Sequence, residues 1–485
     1  MKSGARQFRL IEASSRSAYA GLAAIMVCAL LPARAAAAQE SNRSPERWQH
    51  LAREVFEELV EINTTHSVGS TTEAAQAMRR RLLEAGFPES DVVVVEPAPR
   101  KGNLVARLRG RDTGQKPILL LAHLDVVEAK PEDWTLPPFE LIERDGTFYG
   151  RGTADDKDEA AIYVVNLIRL KQEGYTPERD IIVALTADEE GGPDNGVEWL
   201  LENRRELIDA AYALNEGGGG ILEDERHVSN TVQAAEKKVQ NFMLEVTNPG
   251  GHSSRPRKDN AITELAQALV RIGAFEFPVK LNEVTRAHLR ASAPLVTREM
   301  ADAMRRLLAN ESDAEAAAIL ARDPRLNSTL RSTCVATLLE AGHASNALPQ
   351  RARATVNCRI LPDADPDEIR RTLERVADVP TLVISAQSRA QDSPPSPLVP
   401  EVLGPIERIT NEMWPGVPVV PTMSTGATDG LYLRNAGIPV YGVSGLFYGE
   451  TYSHGMNERI PVESFYQGQE FLYRLVKALT SGGVT

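Results

Sequence analysis

Apolar residues recur at helical spacing over 48–62 and again over 72–85, where Gly86 ends the pattern. Two short runs, 91–95 and 104–108, predict strands. Residues 117–121 are continuously apolar, the pattern of a strand buried on both faces. The runs 180–185 and 210–214 repeat it. Between and after them, 159–172 and 197–205 return to helical spacing. Buried strands alternating with helices predict an α/β fold built on a mainly parallel sheet with helices on both faces.

The texture changes near Lys237. Residues 239–246 alternate in the manner of a half-buried strand, and 261–272 read as an amphipathic helix. The stretch 275–330 is helix-rich and charged, and reads as an insertion. Antiparallel strands are predicted at 334–339 and 352–359, a helix at 367–379 and a strand at 381–384. Together they describe an α+β unit with a four-stranded sheet and helices on one face. Residues 388–400 are rich in Ser, Pro and Gln and read as a linker. After them, 417–421 and 439–443 resume the buried parallel style. A chain of 485 residues exceeds one compact core. The pattern therefore predicts one domain in two parts, 39–236 and 389–485, with a second domain, 237–388, inserted between them.

The first 38 residues read differently. Lys2, Arg6, Arg9 and Arg16 precede an apolar run over 18–31, and Ala36-Ala37-Ala38 follows. The run is short of the ~20 residues that span a bilayer. This is the layout of an export signal, 1–38, cut after Ala38, which predicts a periplasmic or secreted protein with no membrane attachment after cleavage. An uncleaved anchor is the alternative. Cys28 leaves with the signal. Cys334 and Cys358 sit on predicted strands flanking a loop centred near Asn346, so they could face each other across a hairpin, as a disulfide or as two buried thiols. The formal net charge of −13 argues against a nucleic-acid partner, because phosphate binding needs a basic face.

The chemistry lies after the buried strands. His123-Leu124-Asp125 follows the first, Asp188-Glu189-Glu190 the second and Asn215-Glu216 the third. Ligands of open α/β sheets bind beyond the carboxyl ends of the strands, so imidazole and carboxylates are delivered to one edge. Asp155 and Asp156 stand where a helix opens, and His454 lies in a loop after 439–443. Two metal ions need about five side-chain ligands when one carboxylate bridges them. His123, Asp155, Glu190, Glu216 and His454 supply five. Such mixed ligands suit zinc, and also cobalt or manganese. Glu189 is left free to move a proton, and Asp125 is placed to hold the second imidazole nitrogen of His123.

These segments resemble the M20 family of metallopeptidases. The matching stretches are HLDVV (123–127), YGRGTADDK (149–157), ADEEGG (187–192), NEGGGG (215–220), GGHSSRP (250–256) and SHGMNE (453–458). The resemblance implies two zinc ions, with His123 and Glu216 on one, Glu190 and His454 on the other, and Asp155 bridging. It implies Glu189 as general base and a cis peptide between Asp155 and Asp156. It makes the inserted domain a lid that in some members also dimerises, which would make a homodimer. Within the lid, His252 matches a residue that stabilises the oxyanion, and Asn346 and Arg359 match residues that hold the substrate's carboxylate. Gly426 lies in a loop matched to the substrate terminus. The insertion at 275–330 is similar to that of carboxypeptidase S-like and secreted N-acyl amino acid hydrolase types. The expectation is a hydrolase of small peptides or N-acyl amino acids. An esterase or other amidase, and a non-catalytic peptide-binding protein, are the alternatives.

Overall fold

The structure, a computed structural model, describes residues 45–112 and 114–482. The export signal and its cleavage site lie outside the described residues. Among those described, no helix is long and apolar enough to cross a membrane.

The larger sheet has ten strands. At its centre Ile181–Thr186, Ile118–His123, Tyr212–Asn215 and Val440–Gly442 run parallel, side by side. The unbroken apolar run at the centre is explained by the two layers it serves. Ile118, Leu120 and Ala122 enter a core shared with helices Pro45–Glu61, Lys157–Gln172 and Val462–Thr480. Leu119 and Leu121 point the other way, into a core with helices Gly196–Asn203 and Gly430–Asn435. Both faces are covered, so neither phase of the alternation can be polar.

One rim of this sheet is antiparallel and the other is mixed. Val92–Val95 and Asn103–Leu108 form one rim, and the hairpin Gly220–Glu223 with Arg226–Glu236 forms part of the other. The apolar pattern predicts no strand at 220–236, because Asn230, Thr231 and Gln233 interrupt it. Inside the fold these groups find partners: Asn230 Nδ2 donates to Thr410 Oγ1 at 2.9 Å and Thr231 Oγ1 to the Gly219 carbonyl at 2.8 Å. Buried polar groups need such partners.

The smaller sheet is antiparallel, in the order Thr333–Ala341, Arg351–Ile360, Lys238–Thr247, Leu382–Ala386. Phe242, Leu244, Val246, Val356 and Ile360 meet helices Ala261–Ala274 and Pro366–Ala377 on one face. The alternate residues, Asn241, Glu245, Asn357 and Arg359 among them, lie on the face without helices. Residues 387–399 hold no helix or strand, yet they are docked: Ser393 Oγ donates to Glu236 at 2.8 Å and Ser396 Oγ to the Val440 carbonyl at 2.7 Å.

Helices Glu283–Ser292, Arg298–Ala309, Ala314–Leu320 and Pro324–Leu330 enclose a core of their own around Leu289, Met304, Leu307 and Leu320. The first of them packs on strand Val419–Ser424 of the larger sheet. His288 Nδ1 lies 3.1 Å from the Pro421 carbonyl, and burial pushes this imidazole below its ordinary pKa, so it is neutral and donates. The helical segment is thus tied to the larger sheet.

Cys334 and Cys358 are directly opposed across two strands of the smaller sheet and are joined by a disulfide. Closing a loop of 24 residues restricts the unfolded chain, which stabilises the fold by roughly 3 kcal/mol. The Cys334→Ala/Cys358→Ala variant is expected to lose about that much in denaturant unfolding, with the same variant insensitive to reductant. An unchanged midpoint would show that the bond constrains nothing.

Candidate active site

The carboxyl ends of the central strands place the expected groups together. His123 closes its strand, Asp188-Glu189-Glu190 follow Ile181–Thr186 closely, and Glu216 comes directly after Tyr212–Asn215. Val440–Gly442 leads into the loop carrying His454. Glycine allows the last two strands to end so close. A Cβ on Gly442 would lie 2.2 Å from the Glu216 carbonyl oxygen, and one on Gly218 would lie 2.0 Å from that of Gly442. Asp155 precedes helix Lys157–Gln172, and its peptide bond to Asp156 is cis. Asp188, Tyr452, His454 and Asn457 all have positive φ. Left-handed non-glycine residues gathered in this way mark a locally strained site.

Asp155 lies between two imidazoles. Its Oδ1 is 3.0 Å from His123 Nε2, and its Oδ2 is 3.1 Å from His454 Nε2. His454 Nε2 is also 3.0 Å from Glu190 Oε2. His123, Asp155 and Glu190 bring ligand atoms within 4.8 Å of one another, and so do His123, Glu189 and Glu216. Glu216 Oε1 is buried without a hydrogen-bond partner. An orphaned buried carboxylate oxygen is unfavourable, and a cation is what would satisfy it. Imidazole and carboxylate together fit a divalent metal of the zinc, cobalt or manganese kind.

The electrostatics point the same way. Burial pushes Glu216 well above the ordinary carboxylate range, and Glu189 beside it adds to the effect. Burial does the same to Glu189, reinforced by Asp429 and Glu190. Hydrogen bonds to Asp155 and Glu190 raise His454 to about 10. Burial disfavours a charged His123, but its bond to Asp155 and the nearby Glu216 and Glu189 carboxylates outweigh this and raise it. Asp155 is buried too, yet the two imidazoles hold it below the usual range. Carboxylates and imidazoles shifted in these directions are groups whose surroundings favour added positive charge.

Asp125 differs from expectation. His123 Nδ1 is bonded to the Asp125 main-chain carbonyl at 2.9 Å, while the Asp125 carboxylate is 3.7 Å from that nitrogen. The carboxylate instead accepts from the backbone N–H of Glu189 at 3.2 Å and of Glu190 at 3.0 Å. One residue thus orients the imidazole through its main chain and the Glu189-Glu190 turn through its side chain.

The remaining predicted residues fall into two groups. His252, in a two-residue strand paired with Ala347–Leu348, meets Asn346 beside the smaller sheet, where Ser253 N donates to the Asn346 carbonyl at 3.0 Å and Ser254 Oγ lies 2.8 Å from His252 Nδ1. Both are exposed, and their hydrogen bonds stay within the lid. Arg359 reaches the other domain, donating to the Thr425 carbonyl at 3.3 Å, next to Gly426. Gly426 N donates to Ser424 Oγ at 3.0 Å.

Three supporting groups escaped the sequence reading. Buried Arg151 and Glu458 are 2.5 Å apart, and Glu458 also accepts from the N–H of Gly152 and Ala154 at 3.1 and 2.8 Å. This pair joins the loop of Asp155 to the loop of His454. Lys101 pairs with Asp188 beside Glu189, and His66 flanks them. Asp429 takes a 2.6 Å bond from Asn195 Nδ2, and burial raises it to about 7. Arg151, Asp188 and Glu458 carried a signal, as parts of the quoted motifs, whereas Lys101, His66, Asn195 and Asp429 lie outside them. The partners of the rest are distant in sequence.

Comparison with known proteins agrees with this geometry. Residues 119–478 match the profile of peptidase family M20/M25/M40. The chain is 28% identical to the human "N-fatty-acyl-amino acid synthase/hydrolase PM20D1", covering 90% of each. It is 30% identical to a "Probable carboxypeptidase S-like 2" of Dictyostelium discoideum, over 77% of this chain and 74% of that one. The fold resembles the crystal structure of an M20 family metallo-carboxypeptidase from Sulfolobus solfataricus, with a TM-score of 0.65 at 19% identity, covering 88% of this chain and 99% of that one.

The metal-free site has a defined pH response. His454 rises from 6.5 to about 10 on folding, so the stability from its proton is full below pH 6.5 and is lost as pH climbs toward 10. The raised Glu189 and Glu216 have the same sign, since the folded state holds protons that the unfolded chain releases. The melting temperature of chelator-treated protein is expected to fall between pH 6.5 and 10. Zinc is expected to raise it, more at pH 8 than at pH 6, because metal and protons compete. A melting temperature indifferent to pH and to zinc would refute the metal-site reading.

Proposed function

The chain belongs to peptidase family M20/M25/M40, and from that premise we propose that it is an exported hydrolase that holds two zinc ions and cleaves the amide bond of N-acyl amino acids or small peptides. The observation that carries this reading is the convergence of His123, Asp155, Glu190, Glu216 and His454 at one sheet edge with Glu189 beside them. The two substrate types share one chemistry, an acyl group on the nitrogen of an amino acid whose carboxylate is free. The names of the relatives above point to both types.

In this reading His123, Asp155, Glu190, Glu216 and His454 would hold the two ions. Bound divalent ions supply Lewis acidity at the scissile carbonyl and make water easier to deprotonate. Glu189 takes the proton from the attacking water and passes it to the departing nitrogen. A carboxyl raised by burial is suited to both transfers near neutral pH. Asp125 holds the main chain of Glu189 and Glu190 during the exchange. Arg359 grips the substrate carboxylate with two parallel hydrogen bonds, near Gly426. Asn346 assists and His252 stabilises the oxyanion, once lid closure or a second copy brings them to the edge.

Export is supported by the pattern of residues 1–38 and by the Cys334–Cys358 disulfide, which suits an oxidising compartment. A homodimer is supported by the lid's edge strand Thr333–Ala341, which exposes Val335, Leu338 and Leu339 at 61%, 68% and 70%. An uncovered apolar edge strand is a natural place for a second copy to pair.

Release of free amino acid from a panel of N-acyl amino acids and dipeptides, with zinc-loaded and chelated protein in parallel, tests the activity. Metal-dependent release is expected. Glu189→Gln should reduce turnover by at least ~100-fold while zinc content stays the same. Loss of zinc in that variant would reassign Glu189 as a ligand. Leu338→Lys/Leu339→Lys is expected to convert the dimer to a monomer in light scattering, and a dimer unaffected by it would place the interface elsewhere.

A further inference from the structure

Two cations at the junction of the smaller and larger sheets have no anion among the described residues. Arg359 lies opposite Val239 on one side and Thr333 on the other. Its neighbours Cys358 and Ile360 enter the lid core, so Arg359 lies on the face without helices. Lys237, two residues before Val239, lies on that same face. Its Nζ is 3.4 Å from Thr333 Oγ1, the residue registered against Arg359. Both cations abut one loop of the larger domain: Lys237 N donates to the Ser424 carbonyl at 3.0 Å, and Arg359 Nη1 to the Thr425 carbonyl.

The surrounding charges are paired. Glu236 meets Arg434 at 2.9 Å, and Lys238 meets Asp392 at 3.2 Å. Lys237, only 1% exposed, has a hydroxyl and no carboxylate among the described residues. Arg359 has the Asn357 side-chain oxygen and the Thr425 carbonyl. Burial and the nearby guanidinium press Lys237 down to about 7. A buried ammonium without an anion is unfavourable, and a second cation beside it makes the arrangement worse. An anion seated between them would relieve both.

We propose that Lys237 and Arg359 together form the pocket for the substrate's free carboxylate, with the ammonium as the second anchor. This rests on the reading of Arg359 above and deepens it: the enzyme selects amides whose amine side carries a carboxylate. The disulfide beside Thr333 joins its strand to that of Arg359 and so keeps the hydroxyl, the ammonium and the guanidinium in register.

The test compares an N-acyl amino acid with the matching N-acyl amino amide, which lacks the charge. A charge-assisted bond accounts for about a 10–100-fold change in affinity. Lys237→Met is expected to raise KM for the acid by about that factor, leave KM for the amide and both kcat values nearly unchanged, and keep or raise the melting temperature. Lys237→Arg should restore most of the affinity for the acid. A merely structural lysine would behave otherwise, raising KM for both substrates alike or lowering the melting temperature with KM for the acid unchanged, and either result overturns the proposal. Wild-type protein that treats acid and amide equally, or keeps its preference in Arg359→Ala, would instead sink the Arg359 reading. Calorimetric titration of the N-acyl amino acid into Glu189→Gln protein, with and without Lys237→Met, decides the matter independently of turnover. Weaker binding in the double variant supports the pocket, and equal or undetectable binding in both refutes it.

Discussion

Buried negative charge at one edge of the sheet is the constraint around which this molecule is arranged. Asp125, Asp155, Glu189, Glu190, Glu216 and Asp429 crowd two imidazoles, and burial with mutual repulsion pushes Glu189 and Glu216 strongly toward their protonated forms. Such a cluster opposes folding unless cations occupy it. Its persistence at the ends of well-packed strands is therefore a statement about function, since perturbed carboxylates in this number are unfavourable as mere structure.

The fold holds this arrangement in place with ion pairs between segments remote in sequence. Arg151 and Glu458 join the Asp155 loop to the His454 loop, Lys101 grips Asp188, and Arg434 meets Glu236 at the start of the lid. Buried pairs add little net stability, because desolvation offsets most of their attraction. Their effect here is registration: the first two fix loops that contain left-handed residues, and the third joins a helix to a strand.

The charge asymmetry extends to the junction of the larger and smaller sheets. The sheet edge gathers carboxylates, while Lys237 and Arg359 gather positive charge on the open face of the lid. Helix Glu283–Ser292 packs on the strand Val419–Ser424, so the segment that leads to the Thr425-Gly426 loop is braced by the helical insertion.

Much was legible in the chain itself. Runs such as 117–121 announce strands covered on both faces, since no polar residue could be tolerated in either phase, and the residues after those runs must emerge at a common edge. His123, Glu190 and Glu216 could be placed there from order alone. The hairpin at 220–236 is not legible, because polar groups such as Asn230 Nδ2 and Thr231 Oγ1 meet partners that only folding brings near. Asp125 shows the same limit on a finer scale: its spacing from His123 was clear, but which of its oxygens meets the imidazole depends on how the chain turns after the strand. Cys334 and Cys358 could be seen to lie on neighbouring strands, whereas their pairing required the register. The separation of His252 and Asn346 from Arg359, and the isolation of Lys237 from any anion, belong wholly to tertiary structure. Local pattern determines which face of an element is buried; only the packed fold determines which charges meet and which are left without a partner.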